Sequence, residues 1–426
     1  MANMNSFFNK ARIIFTEKTI RNRILFVIGV FFLFRLLSSI PVPGVDAGKL
    51  AQVLQGNQFL SLFSALSGGG LSSFSIVMLG VSPYITASII MQVASMMIPS
   101  LKELMQESGE AGRRTFNNYI RLISVPITVL QAFAFTRYLQ SQGAIGTLST
   151  TAIISNVVII TAGSMLLLWL ADLVNEFGIG NGTSMLIMAG IVAQIPTSIS
   201  QFLFTFTIDQ LPMVLVYIAI GLLVIAGVVY IYEAERPVHV TYARQVRGIR
   251  SLGGNDSYVP LRLTQAGVMP IIFASSMLLF PQFLATFLQT SSRAWLVAVS
   301  QNITLFLNST WAYSIVYFLL VVFFTYFYTA VTFDPKQISD NLQKNGAFIP
   351  GTRPGEATTD TLAAIVTRIT FVGSIFLGIV AVLPLIVRTT TGITAFAIGG
   401  TSILITVSVV IDLIRRIDAQ TAMQEY

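Results

Sequence analysis

The sequence contains no cysteine and a single histidine, His239. The first absence excludes disulfides and thiolate metal sites. The second excludes a multi-histidine metal centre and a histidine-based catalytic site. Charge is scarce as well: 10% of the 426 residues are Asp, Glu, Lys or Arg, against roughly a quarter in soluble domains. No Gly-rich phosphate loop of the Walker type occurs, so no ATPase activity of its own is expected. Apolar residues fill the space instead. They make up 54% of the chain, with mean hydropathy +0.76. A water-soluble fold cannot hide that much apolar surface, so lipid must be the solvent for most of the chain.

A bilayer core about 30 Å thick takes roughly 20 mostly apolar residues per helix. Ten stretches qualify: Ile24–Ile40, Phe74–Ile98, Leu122–Leu139, Thr151–Trp169, Gly182–Leu203, Pro212–Tyr232, Ala266–Leu288, Trp311–Ala330, Ile369–Val387 and Ile393–Ile414. The first is too long for a cleaved signal peptide and lacks its small-residue exit. Two polar connections, 233–265 and 331–368, interrupt the series, and no soluble domain is expected. Lys and Arg fall unequally on the two sides: twenty on the side of the N-terminal segment and the two long connections, four on the other, with Arg35 inside the first span. Positive charge stays inside, so both termini are expected in the cytoplasm. The net charge of +7 is therefore mostly topology.

Two pairs of short segments match across the chain. Gly80-Val81-Ser82-Pro83-Tyr84-Ile85-Thr86-Ala87-Ser88 reads against Gly267-Val268-Met269-Pro270-Ile271-Ile272-Phe273-Ala274-Ser275, identical at six of nine positions. Gly182-Thr183-Ser184-Met185-Leu186-Ile187 reads against Gly400-Thr401-Ser402-Ile403-Leu404-Ile405, identical at five of six. Span two thus pairs with seven and span five with ten. The chain divides into halves of five spans, 1–205 and 206–426. Five is odd, so the second half enters the membrane from the opposite face, and the repeat is inverted.

Inverted halves put functional surface at their interface, near the midplane. Ionisable groups at that depth mark substrate or ion sites, and here the spans are almost bare of them. Arg35, Arg137 and Arg388 lie near outer ends; Asp172, Glu233 and Asp412 lie near inner ends, where snorkelling suffices. The repeat-matched positions are aliphatic: Val81 and Ile85, Ile187 and Ile191, Ile272, Ile405. Spacing of i, i+4 puts Val81 with Ile85, and Ile187 with Ile191, on one helix face. A ring of such side chains would exclude ions by dewetting and make no demand on what passes. The short apolar stretch Phe59–Leu66, followed by Ser67-Gly68-Gly69-Gly70, reads equally as a movable re-entrant stopper or as an interfacial amphipathic segment. An ion-coupled small-molecule transporter would also carry inverted repeats, but it needs buried acids in its broken helices. An intramembrane protease needs a Ser/His pair or an Asp dyad within the spans.

Several words in family order identify the chain as similar to the SecY family over nearly its whole length. They are Leu79-Gly80-Val81-Ser82-Pro83-Tyr84-Ile85 with Ala87-Ser88-Ile89-Ile90 and Gln92; Gly178-Ile179-Gly180-Asn181-Gly182; Gly267 through Ser276; Phe333-Asp334-Pro335; Ile338-Ser339-Asp340-Asn341-Leu342; Lys344-Asn345-Gly346; and Arg353-Pro354-Gly355. The resemblance implies an all-α integral membrane protein, ten helices in two inverted halves around a central pore. The protein would be no enzyme and carry no cofactor or metal. It would conduct unfolded secretory polypeptides and release membrane helices sideways. The pore ring falls on Val81, Ile85, Ile187, Ile191, Ile272 and Ile405. The plug falls on about 59–70, with Phe59, Leu60, Leu62, Phe63, Leu66, Gly68, Gly69 and Gly70. The lateral gate, between spans two and three and spans seven and eight, takes in Gln92, Thr264 and Ser275. Docking falls on Arg244, Arg247, Arg250, Lys336, Lys344 and Arg353. The implied partners are SecE- and SecG-type small membrane subunits, the motor ATPase SecA, the ribosome with its RNA, signal-bearing polypeptides and lipids, all at a bacterial inner membrane. Two positions depart from the family pattern: Thr352 stands where an aliphatic residue commonly precedes Arg-Pro-Gly, and Thr264 replaces a common asparagine.

Overall fold

A computed structural model gives the architecture, and it describes residues 17–43, 50, 64, 67, 69–71, 73–106, 109–141, 143, 145–146, 148–205, 208, 211–242, 245–247, 250–252, 256–265, 267, 269–289, 293–391 and 400–422. In chain order the helices are α1 (Lys18–Ser38), α2 (Ser82–Met97), α3 (Pro99–Gln106), α4 (Gly109–Ser141), α5 (Thr150–Phe177), α6 (Gly182–Thr205) and α7 (Leu211–Glu233). Strands β1 (Glu235–Tyr242), β2 (Gln245–Arg247), β3 (Arg250–Leu252) and β4 (Asp256–Arg262) follow. Then come α8 (Met269–Gln289), α9 (Ala294–Asn308), α10 (Thr310–Thr332), α11 (Pro335–Lys344), β5 (Ala347–Phe348), α12 (Glu356–Thr391) and α13 (Gly400–Ala422).

Among the described residues, α4, α5, α7, α10 and α12 are long and apolar enough to cross a bilayer. The pair α2–α3 adds a sixth if its 117° bend counts as one broken span. The first parts of α6 (Gly182–Thr197) and α8 (Met269–Leu278), and α9 (Ala294–Leu307), are apolar but shorter. Large aliphatic and aromatic side chains including Phe32, Leu122, Leu130, Leu223, Trp311 and Phe323 are more than half exposed. In water such a belt would drive aggregation; in lipid it is the face turned to solvent.

Span two differs from the expected Phe74–Ile98. Residues 74–81 form turns, and the helix begins at Ser82. Gly80 has φ +58° and so ends any preceding helical path. Pro83 sits in the first turn, where its missing N–H costs nothing. The turns are anchored to the end of α1: Val42 N–H donates to the Phe74 carbonyl at 2.8 Å, and Ile76 N–H to the Ile40 carbonyl at 3.1 Å. Leu71, Phe74, Met78 and Leu79 are buried beneath them, in one apolar cluster with Phe135 of α4 and Ile160 of α5.

The two polar connections fold together. β1 pairs antiparallel with β4 over Glu235–Arg262 to Thr241–Asp256. Its far end pairs with β5 of the other connection, Thr241 with Phe348 and Tyr242 with Ala347, giving the order β4-β1-β5. Val238, Val240 and Leu261 of this sheet share a core with Phe333, Ile349 and the first turns of α12 at Leu362, Val366 and Ile369. Alternate burial of Val238 and Val240 along β1 is the period-two pattern of a half-covered strand.

Candidate functional site

The helices whose sequences match also touch. α2 packs against α8, and α6 against α13. Their backbones agree in detail. Gly80 and Gly267 both take left-handed φ, +58° and +59°. Gly80 N–H donates to the Val77 carbonyl, and Gly267 N–H to the Thr264 carbonyl, each three residues back. α2 then starts at Ser82 and α8 at the matching Met269; α6 starts at Gly182 and α13 at the matching Gly400.

From these starts the aliphatic positions converge. Val81, Ile187, Ile191, Ile272 and Ile405 are all at most 5% exposed and belong to one buried cluster, with Ile85 packed partly buried against it. Val81 is the N-cap of α2, and its carbonyl accepts from Ile85 N–H at 3.2 Å, so the two stack one turn apart. Ile187 and Ile191 stack likewise on α6. An uncharged, branched cluster of this kind has no group to bind an ion or hold a polar substrate.

Gly178-Ile179-Gly180-Asn181-Gly182 proves to be a tight helix–helix turn. Gly180 takes φ +101°. Asn181 Oδ1 caps α6 by accepting from Thr183 and Ser184 N–H, while Asn175 Oδ1 accepts from Gly182 N–H at 2.7 Å. A Cβ on Gly182 would fall on the Ala171 carbonyl. Beside this turn lies a polar-lined cavity of about 700 Å³ between α2, α4, α5 and α6. Arg121 and Asp172 pair across it at 2.8 Å. Where α7 ends against α13, Arg415 reaches Glu233 at 3.1 Å and the Tyr232 carbonyl at 3.1 Å. The sequence pointed to snorkelling at these ends; the geometry adds ion pairing between helices.

Of the expected gate residues, Gln92 lies on α2, Ser275 on α8 and Thr264 in the turn before α8, and α8 packs on α2 and α4. Gln92 Nε2 donates to Ser88 Oγ at 3.0 Å, and its Oε1 is buried without a partner. Ser275 Oγ meets Tyr317 OH of α10 at 2.9 Å. Thr264 is buried in the turn before α8 with its hydroxyl unpartnered. Sequence reasoning missed Gln131 of α4, which is buried and reaches Thr86 Oγ1 of α2 at 3.4 Å. A polar residue inside an otherwise apolar stretch of span three was the available signal.

Of the expected plug residues, Phe59, Leu60, Leu62, Phe63, Leu66 and Gly68 lie outside the described residues, while Gly69 and Gly70 lie within them. Arg244 lies outside as well, and Arg247 and Arg250 are described as backbone of β2 and β3. Lys336, Lys344 and Arg353 are exposed on the sheet-and-helix unit. Asp334 caps α11 through Lys336 and Gln337 N–H. The Arg353-Pro354-Gly355 turn is held from both sides: Ser339 Oγ donates to the Gly355 carbonyl at 2.8 Å and Thr358 Oγ1 to the Arg353 carbonyl at 2.9 Å. Thr352 donates both N–H and hydroxyl to the Ile349 carbonyl, a role an aliphatic residue fills only in part.

The SecY family model matches residues 75–414. The protein translocase subunit SecY of Thermus thermophilus is 41% identical over 419 residues, covering 96% of this chain and 94% of the relative. A solved protein-conducting channel superposes with TM-score 0.65 at 20% identity, covering 95% of this chain and 93% of the other. Canine Sec61, solved in a ribosome–channel complex from the endoplasmic reticulum, gives TM-score 0.61 at 19% identity over 95% and 93%.

Proposed function

The chain belongs to the SecY family, and from that premise we propose how it works as the channel-forming subunit of the Sec translocon. It is a multi-pass membrane protein and a conduit, not an enzyme. Val81, Ile85, Ile187, Ile191, Ile272 and Ile405 form the constriction through which an extended polypeptide threads. Branched aliphatic side chains close around a strand without gripping it, and when idle they leave no wet path for ions. A signal sequence, itself an apolar helix, intercalates between α2 and α8, beside Gln92, Gln131 and Ser275. The stopper at 59–70 then yields, and hydrophobic segments leave through the same seam into lipid. Drive comes from outside: a ribosome, or the SecA motor, docks on the exposed cations of the two cytoplasmic connections. Arg353 suits that contact because a guanidinium holds carboxylate or phosphate bidentately. SecE- and SecG-type subunits complete the assembly in a bacterial inner membrane. The reading includes ten spans in inverted halves, 1–205 and 206–426, with both termini in the cytoplasm.

The observation that supports it most is the meeting of sequence-matched helices at one buried aliphatic cluster. Because the chain has no cysteine, thiols introduced at Ile85 and Ile187 are unique probes. A stalled secretory chain carrying a thiol-reactive group is expected to crosslink at both. Crosslinks elsewhere but at neither position would remove the constriction from these residues.

A further inference from the structure

Arg353 projects from a turn with a glycine at each end. Gly351 takes φ +88° and Gly355 φ +103°, and a Cβ at either would meet nothing within 4 Å. The glycines therefore serve conformation rather than space, and glycine has the widest choice of backbone paths. Side chains close that freedom from three directions. On the strand side, Thr352 N–H and its hydroxyl donate to the Ile349 carbonyl at 3.1 and 3.0 Å. On the α12 side, the Thr358 hydroxyl reaches back to the Arg353 carbonyl at 2.9 Å. From α11, the Ser339 hydroxyl donates to the Gly355 carbonyl at 2.8 Å, across 16 residues of sequence. That carbonyl also accepts from Thr358 and Thr359 N–H, each at 3.1 Å, and so begins the ladder of α12. Ser339 and Thr358 are 1% and 2% exposed, whereas Arg353 is exposed. Two buried hydroxyls thus fix the backbone on either side of a guanidinium that faces solvent.

Across α11, the turn and the first turns of α12 the exposed charges balance: Lys336, Lys344 and Arg353 against Asp340, Glu356 and Asp360. A nucleic-acid backbone is held by a surplus of cations, which this surface lacks. A protein carboxylate needs only one well-aimed guanidinium. We infer that Ser339 is a positioning residue, whose hydroxyl fixes the direction in which Arg353 meets a carboxylate of the motor ATPase. The inference rests on reading Arg353 as the motor's docking contact. A bidentate arginine–carboxylate pair takes two parallel N–H···O bonds, so a turn that wanders loses it sooner than it would lose a single-point contact. Loss of the Ser339 hydroxyl leaves no bare acceptor behind, because the Gly355 carbonyl keeps its two backbone donors. One bond of ordinary net strength corresponds to roughly a five-fold change in how often the turn holds its set direction.

The test uses the complete translocase in proteoliposomes. Motor concentration is varied, so that apparent affinity for the motor is read separately from the maximal rate of ATP-driven translocation. Ser339→Ala is expected to weaken the affinity about five-fold and to leave the maximal rate in place. Thr358→Val, close in shape but without the hydroxyl, is expected to act in the same direction. Arg353→Ala weakens the affinity further, and adding Ser339→Ala to it changes nothing more, since a residue that acts through the guanidinium has no effect once it is gone. An unchanged affinity in Ser339→Ala, a fall in maximal rate alone, or an equal further loss in the Arg353→Ala background would overturn the positioning role. If Arg353→Ala itself leaves the affinity in place, the docking reading fails with it. Ribosome binding is measured alongside, and a loss there with motor affinity intact would overturn the choice of partner.

Discussion

Two glycines show how tightly the helices of the first half are set. A Cβ on Gly163 of α5 would run into the Ile76 carbonyl, and one on Gly182 into that of Ala171. Neither contact involves a side chain that can swing away, so the backbone itself would have to move. Gly163→Ala is expected to cost about 1–3 kcal/mol, the usual penalty of overpacking, and to lower the thermal midpoint of the detergent-purified protein. Gly29→Ala, with nothing within 4 Å of its Cβ, serves as the control and is expected to leave the midpoint in place. A midpoint unchanged by Gly163→Ala would mean that the turn at 74–80 yields freely. The sequence shows that small residues recur in the spans, but not which backbone approaches each one. Single polar residues within spans hid in the same way. Gln131 and Gln194 barely alter the hydropathy of their helices, and each bonds a group far off in sequence, 45 and 130 residues away.

At the level of elements, the apolar helices were the readable part, because burying or exposing some twenty apolar residues to lipid dominates every other local preference. What escaped notice was short or dependent on distant pairing. α9 interrupts its apolar run with Ser300, Gln301 and Asn302, and at 15 residues falls below span length. β5 is two residues long and exists because β1 offers it an edge. β1 itself alternates, yet the charges around it read as topology. The sheet's core gives a direct test. Val240→Asp would place a carboxylate where Val240 is 2% exposed among Val238, Leu261 and Leu362. An unpaired charge there is strongly unfavourable. We expect trypsin to cleave within 243–262 much faster in that variant, and ribosome binding to fall, while membrane insertion is retained. Unchanged proteolysis would show that the β1–β4 pair stands without its apolar base.

For the molecule as a whole, two short matching words in the sequence correspond to matching helix starts in the structure, because both copies keep the glycines there. Gly80 and Gly267 keep the same φ, so selection for one backbone path left the same letters twice. Orientation was read from the cations, and it is open to a clean measurement on a chain without native thiols. Single cysteines at Lys344 and Arg293, both exposed, are expected to react with a membrane-impermeant maleimide from opposite sides, Lys344→Cys from the cytoplasm and Arg293→Cys from outside. Labelling of both from one side would refute the ten-span topology.

The sheet that joins the two connections has a mechanical implication. β1 begins two residues after α7 ends, and the first turns of α12 belong to the sheet's own core. α12 has 36 residues, about 54 Å of rod at 1.5 Å per residue. A partner that tilts the sheet by a few degrees therefore swings the rod through several ångströms over the stretch before Pro384, where the missing N–H interrupts the helix ladder and lets it bend.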